Sequence, residues 1–467
     1  MTNCNIILVG SHFRTLPWYF GLNKIGKIYF ISRYKDDKSN FKIASKEEDK
    51  FINWDDNFLD NLKLSDRKTK KLIIKFEKEC RYKVRDLIQA DRILSNLDKS
   101  ISYNYCAKII DLTYSLFKET NFKICITEPT WAHERIILRI AKNYKCISIH
   151  PATDRFLNNA FFFFKEDRYK EIIINKYNKP ENINSYIKQV KKNILSIKRI
   201  NFYYLNKKRN SLNLNKFKNL IYLINFSLQN RGSRFIHYSL YRFLFMKIKN
   251  IFKNFYLTKF SFQNIDLKDI CNKDVVYALQ VQPEMSIDVA GYEWSNQIDT
   301  IKFLRKYIPK QYRLLIKEHP SAIGMRPRKF YHELSKIKNI SIINYDLDSK
   351  YLFKKIKAVI SITGTICFES HFFKIPSLTL SETYFKRFTI MKNKKYSKEN
   401  IIKSLYNIEK WNVNTSDKID NIELYNLYKN VYVGNVFDVK RSKEAISKKN
   451  ILNLQKSFQI MYSSNFK

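Results

Sequence analysis

Short apolar runs alternate with amphipathic stretches along most of this chain, and the alternation divides it into segments of different character. Asn5 to Val9 reads as a strand ending at Gly10-Ser11-His12, and Lys27 to Ser32 reads as a second. Charged segments from about Asp66 to Asp98 and from Tyr103 to Thr120 have helical spacing. The chain then returns to a strand at Lys123 to Glu128, a helix at Thr130 to Lys142 and a strand at Lys145 to Ile149. Strands and helices that alternate in this way imply a parallel sheet.

The pattern is most regular between Asp274 and Ser381. Strands are expected at Val275 to Val281, Arg313 to Lys317, Ile340 to Asn344, Ala358 to Ile362 and Ser377 to Leu380. Helices fall between them, near Ser295 to Tyr307, Arg328 to Ile337, Ser349 to Ile356 and Thr365 to Phe373. Ser295 and Ser349 stand where N-caps belong, with Asp348 as a further cap before Ser349. This spacing predicts a second doubly wound domain.

Between these regions, from about Lys165 to Phe262, the chain is rich in Lys, Asn, Tyr and Phe and poor in acids. It reads as a basic helical insertion or interdomain connection. Its aromatics at helical spacing are assigned to core packing, with a membrane-facing surface as the lesser reading. The resulting division is 1–164 for a first Rossmann-like domain, 165–265 for the basic segment, 266–400 for a second Rossmann-like domain, and 401–467 for a helical tail that packs back on the first domain.

Composition agrees with this size. A chain of 467 residues exceeds what one core usually serves, and 45% hydrophobic with 15% aromatic residues is globular. The 86 Lys and Arg against 43 Asp and Glu give a formal charge of +43, which draws anionic partners. Abundant Lys, Asn and Ile beside only 8 Gly is also what a strongly AT-biased genome produces, which discounts the charge. Seven dispersed cysteines with no C-x-x-C predict a reducing compartment and no structural zinc. With neither a signal peptide nor a spanning apolar run, a cytoplasmic protein is expected, peripheral at most.

In an open parallel sheet, ligands gather beyond the carboxyl ends of the strands. Those positions carry Gln282-Pro283-Glu284, Lys317-Glu318-His319-Pro320 and Thr363-Gly364-Thr365, the last followed by Glu369 on a helix. Thr363 to Thr365 offers hydroxyls and N–H groups at a helix start, suited to phosphate. Glu369 suits ribose hydroxyls, and His319 before a rigid proline suits a leaving phosphate. Taken one at a time, each has a plain structural reading, a cap, an ordinary histidine or a solvated glutamate; their recurrence at consecutive strand ends carries the argument.

The ordered set Leu279-Gln-Val-Gln-Pro-Glu284, Ser295-Asn-Gln297, Lys317-Glu-His-Pro320, Asp348-Ser349, Thr363-Gly-Thr365, Phe368-Glu369 and Lys374-Ile-Pro376 resembles the capsule polysaccharide biosynthesis proteins. These are GT-B glycosyltransferases that include capsular Kdo transferases. The His-Pro pair and the Ser/Thr motif are also similar to those of GT-B sialyltransferases, where they bind the phosphate of a CMP-activated sugar. The resemblance implies two Rossmann-like domains facing a cleft, a nucleotide-sugar co-substrate with a CMP-linked ulosonic acid favoured, no further cofactor, and a glycan or lipid-linked glycan acceptor. Thr363-Gly-Thr365 and Ser370-His371 depart from the serine pair and the glycine common in relatives, so the donor stays open.

Glycosyl transfer needs phosphate stabilisation and a base for the acceptor hydroxyl. Glu128 and Glu134, within a loop Glu128-Pro-Thr-Trp-Ala-His133-Glu134 that also resembles the family, are the base candidates, with Asp154 behind them. Gly10, Ser11, His12 and His133 are assigned to the acceptor side. The competing role for His133 and Glu134 is as first-turn helix residues. The only D-x-D of the second domain, Asp346-Leu-Asp348, is not at a strand end, so metal independence is expected, with Lys317 or Arg326 in place of a cation. Other readings are a non-catalytic assembly or export scaffold and a glycerol-phosphate transferase. Nucleic-acid binding is set aside, because no binding motif accompanies the charge.

Overall fold

The structure is a computed structural model. It describes residues 4–34, 37, 41, 45–166, 169–176, 182–196, 264–265, 267–282, 284–319, 322, 326–343, 347–413, 416–439 and 442–466. Most of the basic segment expected at 165–265 lies outside the described residues, as do Pro283, Pro320, Asp346 and the side chain of His12. The described residues form two compact units. One runs to Ile183 and resumes at Tyr428; the other holds the residues between Asn184 and Leu427. Each is built on a parallel sheet, the pair of Rossmann-like domains that makes up a GT-B chain.

In the first unit the strands are β1 (Asn5–Val9), β2 (Lys27–Ser32), β3 (Lys50–Asn53), β4 (Phe122–Ile126), β5 (Ile147–Thr153) and β6 (Ala160–Lys165). The sheet runs β3-β2-β1-β4-β5 in parallel, then β6 antiparallel to β5. Both faces are covered. Ile7 and Val9 of β1 enter one apolar core and Ile6 and Leu8 the other, as the two-residue period of a strand requires. Because every position on such a strand is buried, a continuous apolar run marks it, and β1 and β2 fall where the run does.

Two departures have local causes. The helical spacing from Asp66 to Asp98 is divided into helices Asp66–Cys80 and Val84–Ala90 and a 3-10 turn at Leu94–Asn96. Arg81 turns left-handed (φ 50°) at the first break, and the Asp91 carboxylate takes the Ile93 and Leu94 N–H groups (2.9 and 3.0 Å) at the second. The run Ala160–Lys165 is a full strand inside the first unit, with Phe161 and Phe163 in its core.

The second unit has β7 (Asn264–Ile265), β8 (Asp274–Ala278), β9 (Arg313–Lys317), β10 (Ile340–Ile343), β11 (Ala358–Ser361) and β12 (Ser377–Thr379), all parallel, in the order β12-β11-β8-β9-β10-β7. From β8 the chain builds β9 and β10 on one side and then crosses to build β11 and β12 on the other. The crevice between β8 and β11 is therefore the switch point where such sheets bind ligands. One cap differs from expectation and one agrees with it. Asn296 rather than Ser295 caps helix Gln297–Tyr307, and Asp348 caps helix Ser349–Phe353, as expected, by accepting the Lys350 N–H (3.0 Å). In both cases the carboxamide or carboxylate reaches an N–H two or three residues on.

The chain returns to the first unit at Tyr428. There β13 (Tyr432–Val433) adds antiparallel to β6, and helix Lys448–Phe466 places Leu454, Phe458 and Met461 in the same core as Trp18 and Leu22. The Trp18 indole N–H donates to the Val436 carbonyl (3.1 Å), tying the two chain ends together.

Candidate functional site

At the switch point of the second unit a network of side-chain amides joins the strand ends. Gln280, two residues beyond β8, donates from Nε2 to the Thr363 hydroxyl (2.9 Å) and accepts the Thr363 N–H at Oε1 (3.0 Å). Gln297 flanks it, accepting the Gln280 N–H (2.9 Å) and donating to the Gln280 carbonyl (3.1 Å) and to Gln282 Oε1 (2.9 Å). Gln282 in turn donates to Asp288 (2.9 Å) and to the Ser295 carbonyl (2.9 Å). Asp288 accepts the Glu284 N–H (2.8 Å), and the Ser286 hydroxyl donates to Glu284 (3.0 Å). Gln280 and Gln297 are buried, so each pairing satisfies a group that water cannot reach. Gln280 is the residue of this network that strand-end reasoning passed over. It stands inside the resembling motif Leu279 to Glu284, and that position was its only signal in the sequence.

The neighbouring strand end is built differently. Glu318 is buried and accepts from Arg326 (2.7 and 3.1 Å), the Tyr331 hydroxyl (3.2 Å) and the His319 N–H (2.8 Å). Arg326 also donates to the Gln280 carbonyl (2.7 Å) and lies over the Phe330 ring. This corrects the reading of Arg326 as a substitute for a metal cation: two of its nitrogens are committed to Glu318 and to the β8 loop. The result is a fixed backbone at His319, whose side chain is half-exposed. Lys317, the last residue of β9, is buried.

The Thr363 loop is corrected in part. The Thr363 hydroxyl donates to the Ser286 carbonyl (2.9 Å) while accepting from Gln280, and its N–H is also taken by Gln280. Thr363 therefore holds the loop. The Gly364 N–H donates to Ser361 Oγ (3.3 Å), and a Cβ on Gly364 would stand 2.5 Å from that oxygen, so a larger residue would have to displace the Ser361 hydroxyl. Thr365 begins helix Ile366–Phe372 without a side-chain cap bond, and the Glu369 N–H donates to its carbonyl (2.9 Å) one turn on. Thr365, Glu369 and His319 are half-exposed around the network. The sheet order β11-β8-β9 gathers three segments, separated by up to some eighty residues in sequence, at one edge.

In the first unit the switch point lies between β1 and β4. Gly10 leaves β1 with φ +148°, a conformation side chains avoid, and a Cβ there would stand 2.7 Å from Thr15. Ser11 caps helix His12–Leu22 without a side-chain bond, and its carbonyl accepts the Thr15 hydroxyl (2.8 Å). Glu128, just beyond β4, pairs with Arg14 on that helix (2.9 Å), both partly exposed. Gly10, Ser11 and Glu128 thus stand at one strand edge. His150 is buried nearby; burial pushes its imidazole down to about 4, with Glu128 pulling the other way.

Three assignments in this unit are corrected. Glu134 is buried, with Oε2 accepting the Thr130 and Trp131 N–H groups (both 2.9 Å) at the start of helix Ala132–Asn143. It is a capping carboxylate, not an acceptor-facing base, and burial raises its pKa to about 8. His133 is buried with Nδ1 3.3 Å from the Tyr105 hydroxyl, and burial, then Arg33, holds its pKa well below the usual imidazole value. Asp154 is buried too. It accepts the Phe156 and Leu157 N–H groups (2.9 and 2.6 Å) and the Tyr428 hydroxyl (3.2 Å), and its pKa is raised to about 6 by burial. Among the described residues no group of three or more His, Cys, Asp or Glu is placed to hold a metal ion.

The family described as capsule polysaccharide biosynthesis protein matches residues 170–404, a little over half of the chain and a span that contains every strand-end group of the second unit. The chain belongs to that family. No curated protein matches the sequence. Solved structures similar to it include the UDP-GlcNAc 2-epimerase of Methanocaldococcus jannaschii, 15% identical over 89% of this chain and 94% of that one, with a TM-score of 0.24. Also similar are two chains of Thermosulfurimonas dismutans KpsC. The beta Kdo 2,4 transferase is 8% identical over 73% of this chain and 87% of its own (TM-score 0.32), and the beta Kdo 2,7 transferase is 12% identical over 75% and 88% (TM-score 0.30). Likeness of this degree assigns no activity.

Proposed function

We propose that this capsule polysaccharide biosynthesis protein is a glycosyltransferase that moves a sugar from a nucleotide-activated donor to a growing bacterial surface polysaccharide. One observation carries the reading: His319, beyond β9, and Thr365 and Glu369, both beyond β11, stand half-exposed near the β8–β11 switch point around a buried amide network. A nucleotide diphosphate or monophosphate needs hydrogen-bond donors for its oxygens and an acceptor for its ribose. Here His319 donates to the phosphate, the helix start at Thr365 adds its dipole, and Glu369 accepts from the ribose hydroxyls. Gln282, Glu284, Lys317, Thr363 and Gly364 shape the pocket rather than face the chemistry.

Glu128 is the base for the acceptor hydroxyl, held in position by Arg14. With Glu134 and Asp154 committed to backbone N–H groups, Glu128 is the member of the candidate set whose carboxylate is partly exposed. The motif succession favours a CMP-linked ulosonic acid as donor, without a metal. In this reading the protein is cytoplasmic, peripheral at most on the inner face of the membrane, where lipid-linked acceptors and nucleotide sugars meet.

Calorimetric titration with CMP, UDP, GDP and CDP-glycerol tests this. Selective CMP binding, weakened roughly 10- to 100-fold by His319→Ala, supports the reading, since a hydrogen bond to a charged group contributes about 1.5–3 kcal/mol. UDP or GDP binding changes the donor. CDP-glycerol preference makes it a glycerol-phosphate transferase, and no binding by any of the four makes it an assembly scaffold.

A further inference from the structure

We propose that the first unit carries a second saccharide-binding site, apart from the strand edge at Gly10 and Glu128, in a cavity between the N-terminal halves of helices Asp66–Cys80 and Lys99–Glu119. The cavity measures about 660 Å³ and is closed on a third side by Leu59 and Asp60 at the end of helix Asp56–Asn61. That volume lies within the ~300–1,000 Å³ of ordinary small-ligand sites.

The chemistry of the lining selects the ligand. Lys70 and Lys108 are balanced by Asp60 and Asp66, so the cavity lacks the positive excess that a nucleotide or a lipid phosphate requires. Asn104 supplies both donors and an acceptor, and Ser100, whose hydroxyl donates to Asp98 (2.6 Å), supplies an acceptor, whereas an acyl chain needs walls without either. Beside these polar groups lie Tyr103, Ile73 and Ile101, and the last is 47% exposed although apolar. A sugar ring presents hydroxyls at its edge and C–H groups on its faces, and a lining that mixes hydrogen-bonding groups with aromatic and aliphatic surface complements both. A short oligosaccharide is the occupant.

Position supports the same assignment. Helix Lys99–Glu119 leads into β4, so its start lies toward the carboxyl end of that strand, the edge that also carries Glu128. Tyr105 lines the cavity and reaches His133, in the first turn of the helix that follows the Glu128 loop (3.3 Å). Resting on the reading of this unit as the acceptor side, the occupant is an upstream segment of the growing glycan, held while its end is extended.

The test applies the full-length protein to an array of immobilised bacterial surface oligosaccharides and, separately, to phosphatidylglycerol vesicles. The variants are Asn104→Ala with Lys70→Ala, which removes polar contacts, and Ile101→Trp, which fills the cavity from its rim. Retention of at least one saccharide, reduced tenfold or more by both variants with the thermal midpoint unchanged, is the expected result. Failure to retain any saccharide, retention that both variants leave intact, or binding to the vesicles that the variants abolish would overturn it. CMP titration of the same variants reports on the second unit alone. Saccharide binding without nucleotide binding would sink the glycosyltransferase reading and leave the cavity assignment standing.

Discussion

Glu134 shows how an apparent catalytic carboxylate is spent on structure. Its Oε2 accepts two N–H groups at a helix start while burial raises its pKa to about 8. In the unfolded chain the same carboxyl ionises near its ordinary 4.5, so between about pH 4.5 and 8 the folded state binds more protons than the unfolded one. Its contribution to stability is therefore complete below pH 4.5 and is lost as pH rises through 8. Glu134→Gln keeps an acceptor for the N–H groups and removes the titration. In denaturant titrations from pH 5 to 8.5, wild type is expected to lose on the order of a few kcal/mol relative to the variant. Parallel curves for the two would show that Glu134 is ionised throughout. His150 works in the opposite direction, since its pKa of about 4 favours the fold as pH rises from 4 to 6.5, and the comparison with Glu134→Gln removes that background.

Among the elements, legibility followed burial. β1, β2 and β9 begin and end where their apolar runs do, because both faces of a central parallel strand are covered and no polar position interrupts the pattern. β3 and β13 were not legible, since short strands at or near a sheet edge carry few apolar residues, and β6 was missed because its phenylalanine run falls where the composition changes. At the site, residue types at strand ends were readable, but which of them face a ligand was not. Thr363, Arg326, Glu134 and His133 carry the same side chains whether free or paired, and only the folded neighbours, Gln280, Glu318, the Trp131 N–H and Tyr105, decide. Gln280 is the clearest case, since it joins the β8 and β11 ends and accepts Arg326 on its carbonyl. Gln280→Ala leaves the Thr363 N–H without its acceptor, while the Thr363 hydroxyl keeps its bond to Ser286, and is expected to cost about 1–3 kcal/mol. Nucleotide affinity should fall with it while the first unit unfolds as before. A variant with wild-type stability and affinity would remove Gln280 from the architecture of the site. In the first unit, Phe458→Ala on the C-terminal helix deletes a ring buried against Phe161 and Phe163 and is expected to cost about 3–5 kcal/mol, read as a lower thermal midpoint.

At the scale of the whole molecule the unresolved quantity is charge. A formal +43 is large, yet the same excess of Lys arises from nucleotide bias, so charge alone does not identify a partner. Among the described residues no helix is long and apolar enough to cross a membrane. An anionic leaflet attracts each Lys or Arg near it by about 1 kcal/mol, and physiological salt confines the attraction to about 8 Å. Attachment through basic surface is therefore expected to depend steeply on both lipid charge and ionic strength. The measurement is co-sedimentation with vesicles of phosphatidylglycerol and of phosphatidylcholine at 0.05, 0.15 and 0.5 M salt, with salt concentrations chosen to span the screening range. Recovery with the anionic vesicles alone, falling as salt rises, supports placement at the membrane surface beside a lipid-linked acceptor. Equal recovery with both lipids removes the electrostatic argument and assigns the lysine excess to composition.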